Sequence, residues 1–226
     1  MQVIYDGEFN LALLVGCLLV VRMKQCLKIV SSRVILVPYE ENHVPKYHEW
    51  MKSPELQEAT SSSPLSLEEE YQMQKSWRDD SDKYTFIVLD KNLYRETADE
   101  VKSMVGDVNV FLLPNEDETS VPTGEITIMI AEPTARRKGF GLETTLLMMN
   151  YCIRSLQIRK FVAIIGEKNS TSVKLFEKLH FREVEKTYFG ELKYEKTVEQ
   201  REWEQLIKSY GLAYEESSYE RRRNDA

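Results

Sequence analysis

The apolar residues of this chain form two kinds of segment, runs that are typical of strands and segments with the three- and four-residue spacing of helices. Residues 33–39 form a β-branched apolar run that ends near Pro38 and predicts a first strand. Similar runs predict further strands at 84–90, 104–113, 160–166, 182–188 and 192–198. Between the first two runs the apolar spacing changes to three and four residues, which predicts helices over 44–52 and 66–77. Strands and helices therefore alternate along the chain.

Residues 123–156 combine a strand, a short basic loop and a helix. Alternation along the strand separates Ile126, Ile128 and Ile130 from the opposite face, which carries Glu125, Thr127, Met129 and Ala131. The loop has the spacing R-x-x-G-x-G from Arg136 to Gly141, directly ahead of the helix. Because a glycine loop lets backbone approach a ligand and a helix start offers unpaired N–H groups, this stretch predicts an anion site for a group such as a pyrophosphate.

The remaining segments are predicted from their composition and period. Residues 169–180 and 198–210 have helical spacing. The polar residues 91–102 show no period and predict a loop, and 114–122 predict a hairpin connection. The charged residues 215–226 are expected to be disordered.

Composition limits the classes of function. A chain of 226 residues with 42% hydrophobic residues can bury one substantial core. Its net charge of -7 and pI near 5.2 argue against a nucleic-acid partner and favour a basic substrate. The cysteines, Cys17, Cys26 and Cys152, have no paired spacing, which favours a reducing compartment. The three histidines lack the spacing of metal ligands, so we expect no metal site.

The N-terminal segment contains an apolar run at residues 11–21. The run is shorter than the roughly 18 to 20 residues that would span a bilayer. Asp6 and Glu8 precede it where a signal peptide would carry basic residues, and no small-residue cleavage site follows. We therefore expect no membrane partner. Met23 offers an alternative start, so the early residues form an extension that the fold does not require.

Three features stand in register. Glu125 lies on a strand, the R-x-x-G-x-G loop begins eleven residues later, and the motif N-x-x-S-x-x-x-F begins at Asn169. Over residues 30–200 this order resembles the GCN5-related N-acetyltransferase (GNAT) superfamily. The resemblance implies an α/β (α+β) fold with a mixed twisted sheet of six to seven strands and helices on both faces. It divides the chain into an extension at 1–27, the acetyltransferase domain at 28–200, and a helix with a charged tail at 201–226.

The resemblance also implies the co-substrate acetyl-CoA and the residues that bind it. The phosphates would be held by the loop residues Arg136, Arg137, Lys138, Gly139, Phe140, Gly141 and Leu142. The backbone of Ile130 and Ala131 would pair with pantetheine, from a strand that splays from its neighbour. Asn169 would bond the same arm, and the cofactor site would include Ser172 and Phe176 of its motif.

Local strings narrow the resemblance further. They are VILVPY, HVPKYHEWMK, TFIVLD, VGDVNVFL and MIAEP. They are similar to the N-acetyltransferase 9 family, eukaryotic enzymes associated with acetylating the N-terminal residues of α- and β-tubulin. This similarity implies a cytoplasmic protein whose partner is a protein N-terminus, that of tubulin. His180 stands where most of the superfamily has a glycine that ends a helix, a position that favours positive φ.

Acetyl transfer to an amine needs a base, and Glu125 is the candidate. Superfamily members often carry this base at the matching position, from which a carboxylate reaches the amine directly or through a water. Alternatively, Glu125 is a surface carboxylate paired with a lysine or a hydroxyl. Phe176 departs from the pattern, because many members have a tyrosine there that protonates the leaving thiolate. Tyr188 and Tyr194 are candidates for this proton donor only by their proximity in the pattern.

Two other functions remain open from the sequence. In the first, the enzyme acetylates another acceptor, such as a polyamine, a small amine or a lysine. In the second, the chain binds acetyl-CoA or tubulin without turnover, a reading that the absent tyrosine at Phe176 keeps open.

Overall fold

A nine-stranded mixed sheet organises the part of the chain that this computed structural model describes, residues 26–114, 120–188 and 190–220. Its strands are β1 Leu27–Val30, β2 Val34–Pro38, β3 Lys83–Asp90, β4 Met104–Leu112, β5 Thr123–Ile130, β6 Lys160–Gly166, β7 Arg182–Lys186, β8 Glu191–Thr197 and β9 Glu215–Ser218. Their order is β7-β8-β6-β5-β4-β3-β2-β1-β9. Most of the predicted extension and the centre of the predicted 114–122 connection lie outside the described residues.

Helices cover both faces of the sheet, as predicted. They are α1 Val44–Met51, α2 Pro54–Thr60, α3 Leu67–Asp79, α4 Lys91–Thr97, α5 Glu100–Ser103, α6 Phe140–Ser155, α7 Ser170–Lys178 and α8 Gln200–Ser209. On one face α6, α7 and α8 bury Leu146, Phe176 and Trp203 in the larger core. On the other face α1 and α2 bury Tyr47 and Leu56 in a second core. Within the described ranges, no helix combines the length and apolarity needed to cross a membrane.

The sheet has nine strands, two or three more than the six to seven expected. β1 pairs with β9 in antiparallel register from Leu27↔Ser218 to Val30↔Glu215. All four residues of β9 are exposed, so backbone hydrogen bonds hold it and no apolar pattern could have predicted it. The expected disorder is therefore wrong for 215–218.

Tyr219 anchors the end of β9. Its ring is buried in the second core, its hydroxyl donates to Glu100 Oε2 at 3.0 Å, and its N–H donates to Cys26 O at 2.6 Å. The C-terminal chain is thus fixed to both α5 and the start of β1.

The predicted loop at 91–102 is instead the pair of short helices α4 and α5. Asp90 caps α4 by accepting from the backbone N–H groups of Asn92 and Leu93 at 2.9 and 3.2 Å. Asp99 caps α5 by accepting from Lys102 N at 3.0 Å. Aspartate is a preferred N-cap residue, and these caps were the signal that a search for apolar periodicity missed.

His180 ends α7 in the left-handed conformation, with φ of 63°. His180 N donates to Glu177 O at 2.8 Å and Phe181 N donates to Phe176 O at 3.0 Å. The ring centroids of Phe176 and Phe181 lie 4.9 Å apart. These two bonds and the apolar contact make a Schellman motif, in which glycine is the favoured residue at the position of His180.

We expect His180→Gly to raise the free energy of unfolding by about 1 kcal/mol, because glycine adopts positive φ without a steric cost at Cβ. Urea denaturation measures the change. His180→Ala is the matched control, since alanine removes the imidazole but keeps Cβ, and it should give no gain. An equal gain in both variants would instead assign the effect to the imidazole.

Candidate active site

β5 and β6 form a splayed pair of parallel strands. They pair at Thr123↔Lys160, Gly124↔Phe161 and Glu125↔Val162 and no further. Beyond Glu125, β5 continues only with β4, and β6 continues only with β8. A gap therefore opens between the two strands in the middle of the sheet, as the family resemblance predicted.

The backbone of β5 presents alternate residues to this gap. Ala131 N donates to Val105 O at 2.9 Å, and Thr123 O accepts from Leu113 N at 2.9 Å, so the odd-numbered residues face β4. Because hydrogen-bonding direction alternates along a strand, Ile128 and Ile130 face the gap. The predicted role of Ala131 needs correction, since its N–H is already bonded. Ile128, which the motif did not single out, has the orientation that pairing with a ligand requires.

The loop after β5 presents a run of unpaired backbone donors. Arg137 and Gly139 have φ of 58° and 88°, and Gly139 is the N-cap of α6. The backbone N–H groups of residues 137–142 find no acceptor in the part of the chain that the structure describes. The positive end of the 16-residue helix α6 lies at the same place. This arrangement fits the pyrophosphate of a CoA thioester.

Arg136, which is predicted to hold a phosphate, makes its contacts in this structure with protein groups. Its Nε donates to Ile130 O at 3.0 Å and its Nη2 to Ala131 O at 3.4 Å. Its Nη1 donates to Glu55 Oε1 of α2 at 2.6 Å. The guanidinium therefore braces the end of β5 against α2.

Arg137 and Lys138 are the exposed cations of the loop. Neither forms an ion pair with another described residue. Phe140 is buried in the larger core and Leu142 packs against it, so these two residues offer only their backbone N–H groups to a ligand. The loop thus joins two solvent-facing charges to a rigid helix start.

The motif that begins at Asn169 is mainly structural. Asn169 Oδ1 caps α7 by accepting from Ser172 N at 3.1 Å. Phe176 is buried against Phe181, so its predicted contact with the cofactor is not supported. Leu175, its neighbour, lies close to the loop, since a Cβ added to Gly141 would lie 3.6 Å from Leu175 Cδ2.

Neither tyrosine near this motif stands out as a proton donor. Tyr194 is buried in the larger core on the face opposite Glu125, and its hydroxyl donates to Glu183 Oε2 at 3.4 Å. Tyr188 is 99% exposed.

Glu125 lies at the point where β5 and β6 part. It is half-buried, and burial together with the negative charge of Glu191 raises the pKa of its carboxyl, while Lys193 opposes the change. No described residue forms a hydrogen bond or an ion pair with this carboxylate. The alternative of a surface carboxylate neutralised by a lysine or a hydroxyl would require such a partner. A raised pKa also suits a general base.

The sheet face around Glu125 carries a buried polar row. Thr85 Oγ1 donates to Asn109 Oδ1 at 2.6 Å, and Asn109 Nδ2 donates to Asp107 Oδ2 at 2.7 Å. Burial raises the pKa of Asp107 to about 6. Burial also lowers the pKa of Lys83, on the same face, to about 7. This row joins the neighbouring strands β3 and β4, and its pairing depends on the register between them, which no local motif shows.

Arg33 is a further cation that the sequence did not reveal. It lies in the turn between β1 and β2, and its Nη1 donates to Lys138 O at 2.8 Å. Their separation of 105 positions along the chain puts this contact beyond any sequence motif.

Comparison with known proteins agrees with this geometry. The Acetyltransferase (GNAT) domain family matches residues 33–182. Alpha/beta-tubulin-N-acetyltransferase 9 of Homo sapiens is 47% identical over 190 residues, 82% of this chain and 90% of that protein. The protein of the same name from Drosophila melanogaster is 51% identical over 174 residues, 76% of this chain and 85% of that protein.

Solved structures show the same fold. A spermidine N-acetyltransferase from Vibrio cholerae, in complex with CoA and spermine, has a TM-score of 0.60 at 17% identity and covers 76% of this chain and 98% of its own. A GNAT-family acetyltransferase from Bacillus anthracis has a TM-score of 0.61 at 16% identity, covering 75% of this chain and 98% of that one.

The splayed strands, the loop of free N–H groups and the match over most of the chain agree, and the chain belongs to the N-acetyltransferase 9 family of GNAT acetyltransferases.

Proposed function

We propose that this acetyltransferase uses acetyl-CoA to acetylate the α-amino group of a protein N-terminus, and that tubulin supplies that N-terminus. The observation that carries the proposal is the half-buried Glu125 at the base of the gap between β5 and β6, whose carboxylate has no hydrogen-bond or ion-pair partner among the described residues. The relatives named for α- and β-tubulin support the acceptor. Tubulin as acceptor also implies a cytoplasmic protein.

The residues of the site divide the work. The N–H groups of 137–142, with Arg137 and Lys138, bind phosphate, and the gap-facing backbone of Ile128 and Ile130 binds the pantetheine arm. Acetyl-CoA supplies the acetyl group as an activated thioester. Glu125 removes a proton from the acceptor amine as the amine attacks, and an N–H near Ile130 stabilises the negative oxygen that forms.

The basicity of the amine favours an N-terminus over a lysine. An α-amino group has a pKa of about 8 and a lysine about 10.4, so the neutral nucleophile costs about 3 kcal/mol less to form from the terminal amine. A base of modest strength such as a carboxylate is therefore better matched to the N-terminus.

Direct attack in a ternary complex fits the cysteines of the described chain. Cys152 is buried on α6, and burial raises the pKa of its thiol. Cys26 adjoins β1, at the far end of the sheet from β5 and β6. Neither is placed as a nucleophile for an acetyl-enzyme intermediate. The CoA thiolate needs no donor at Phe176, since a thiol of pKa about 8.5 leaves readily as the anion.

An acceptor panel tests the proposal. The purified chain is incubated with acetyl-CoA and one of three acceptors: a peptide with a tubulin N-terminus, the same peptide with its N-terminus formylated and a lysine added, or spermidine. We expect mass spectrometry to show one added acetyl group, on the α-amine of the first peptide, at a rate at least tenfold above the other two. Faster reaction of the lysine or of spermidine would refute the acceptor, and binding of acetyl-CoA without any product would refute catalysis.

A further inference from the structure

Glu143 is a buried carboxylate in the first turn of α6, beside the phosphate loop. It accepts five hydrogen bonds from the turn between β1 and β2. The donors are Ser31 Oγ at 2.7 Å, Ser32 Oγ at 2.9 Å, Arg33 N at 2.8 Å, Arg33 Nε at 2.7 Å and Val34 N at 3.2 Å. Burial alone raises the pKa of this carboxyl, but these hydrogen bonds outweigh it and lower the pKa. Glu143 is therefore ionised and fully engaged.

A negative charge next to an anion site normally opposes anion binding. Here the charge is directed away from the loop, because its oxygens face the turn that donates to them. The carboxylate instead has a positioning effect, because its hydrogen bonds hold the β1–β2 turn against the start of α6. Arg33 is the side chain that this pinning places over the loop.

The guanidinium of Arg33 makes two hydrogen bonds at the site and keeps three further N–H groups. Its Nε–H donates to Glu143 and one Nη1–H donates to Lys138 O. A guanidinium has five N–H donors, and the remaining three find no acceptor among residues 26–114, 120–188 and 190–220. The side chain is 51% exposed. A Cβ on Gly139 would lie 2.9 Å from Arg33 Nη1, so the guanidinium lies directly against the loop.

We propose that Arg33 binds a phosphate group of CoA together with the loop N–H groups, and that Glu143 is the positioning residue that holds Arg33 there. The inference rests on the proposed use of acetyl-CoA. The chemistry required is a phosphate oxygen within reach of a planar fork of donors, and CoA offers both a diphosphate and a 3′-phosphate.

Direct binding measurements test the proposal without turnover. Isothermal titration compares CoA, dephospho-CoA, which lacks the 3′-phosphate, and acetyl-pantetheine, which lacks every phosphate. We expect Arg33→Ala to weaken CoA binding by about 10- to 100-fold, as for loss of a charge-assisted hydrogen bond. The dependence of log Kd on log salt concentration should also become shallower. If Arg33→Ala also weakens the binding of dephospho-CoA, Arg33 contacts the diphosphate. If the variant binds dephospho-CoA as well as the wild type does, Arg33 contacts the 3′-phosphate.

Matched variants separate a direct contact from a structural effect. Arg95→Ala removes an exposed arginine on α4 and should leave CoA binding unchanged. Glu143→Gln removes a negative charge near the anion yet should weaken CoA binding severalfold, the reverse of the sign that charge alone predicts. Its effect should largely vanish in the Arg33→Ala background, because the two residues act as one unit.

The outcomes discriminate between the two proposals. If the wild-type chain binds neither CoA nor acetyl-CoA, the proposed function fails. If it binds both and Arg33→Ala binds CoA equally well, or loses acetyl-pantetheine to the same extent, the role of Arg33 fails. Stronger CoA binding by Glu143→Gln would overturn its positioning role.

Discussion

Glu125→Gln is expected to lower kcat by about 100- to 10,000-fold, since glutamine keeps the shape of the side chain but cannot accept the proton of the acceptor amine. The affinity for acetyl-CoA should change little, because the cofactor is bound by the loop and by the backbone of β5. The measurement is the rate of acetyl-peptide formation at saturating substrates, with binding of acetyl-CoA followed separately.

Glu195→Gln is the matched control. Glu195 lies on β8, where it forms ion pairs with Lys160 at 2.8 Å and Lys193 at 3.3 Å. A paired carboxylate of this kind is partly buried and has the role of a structural group, so its replacement should leave kcat within about twofold. Equal losses in both variants would show that any carboxylate on this part of the sheet matters, and the assignment of Glu125 would fall.

The pH profile gives an independent readout. Burial and the charge of Glu191 raise the pKa of Glu125, so the base is lost as the pH falls through this raised value. The acid limb of kcat should therefore lie above the ordinary glutamate pKa of about 4.3. Glu191→Gln removes one cause of the shift and should move the limb to lower pH. A limb that stays in place would mean that another group titrates.

Gly106→Ala is expected to destabilise the fold by about 3 kcal/mol or more. An added Cβ would lie 1.9 Å from Met129 O and 3.0 Å from Ile130 Cα, and both are backbone atoms. Because backbone cannot move aside as a side chain does, β4 must shift away from β5. The midpoint of thermal unfolding should fall by roughly 6 to 12 °C.

Gly166→Ala provides the control for Gly106. Gly166 ends β6, and a Cβ added there meets no atom within 4 Å. Its midpoint should stay within about 2 °C of wild type. The two variants share the same chemical change, so their difference measures the close approach of β4 and β5. A Gly106→Ala protein as stable as Gly166→Ala would show that the strands adjust at no cost.

Sequence reasoning predicted the central strands and the longer helices on both faces of the sheet, because apolar side chains recur along them with a regular period. The run at 33–39 and the alternation of Ile126, Ile128 and Ile130 are of this kind. Sequence reasoning missed the elements that are held by hydrogen bonds and carry no apolar pattern. β9 is a polar strand held by backbone pairing, and α4 is set by the cap at Asp90.

In the candidate site, too, the features that are local in sequence could be predicted and those that depend on the folded chain could not. The R-x-x-G-x-G loop and the strand ahead of it are local features, so the sequence could point to a loop of backbone donors, and their use in binding phosphate stays a prediction. The direction of each side chain was not local. Arg136 turns back to Ile130 O, Ala131 N bonds to β4, and Phe176 packs into the core. Arg33 approaches from a turn far away in sequence, and only the folded chain brings it to the loop.

The pairing of β1 with β9 also sets an order of events during synthesis. β1 is the first strand of the described chain to leave the ribosome and β9 is the last, yet the two are neighbours. Until residue 218 emerges, the outer edge of β1 stays open, and Tyr219 cannot fill its place in the second core. Because such a long-range contact is slow to form, the nascent chain exposes an unpaired strand edge for most of its translation. The half of the sheet formed by β5 to β8 can assemble earlier, and β9 then replaces β1 as the outer edge strand. Because β9 is short, polar and exposed whereas β1 is largely apolar, this last pairing leaves an edge that is a poorer template for edge-to-edge association.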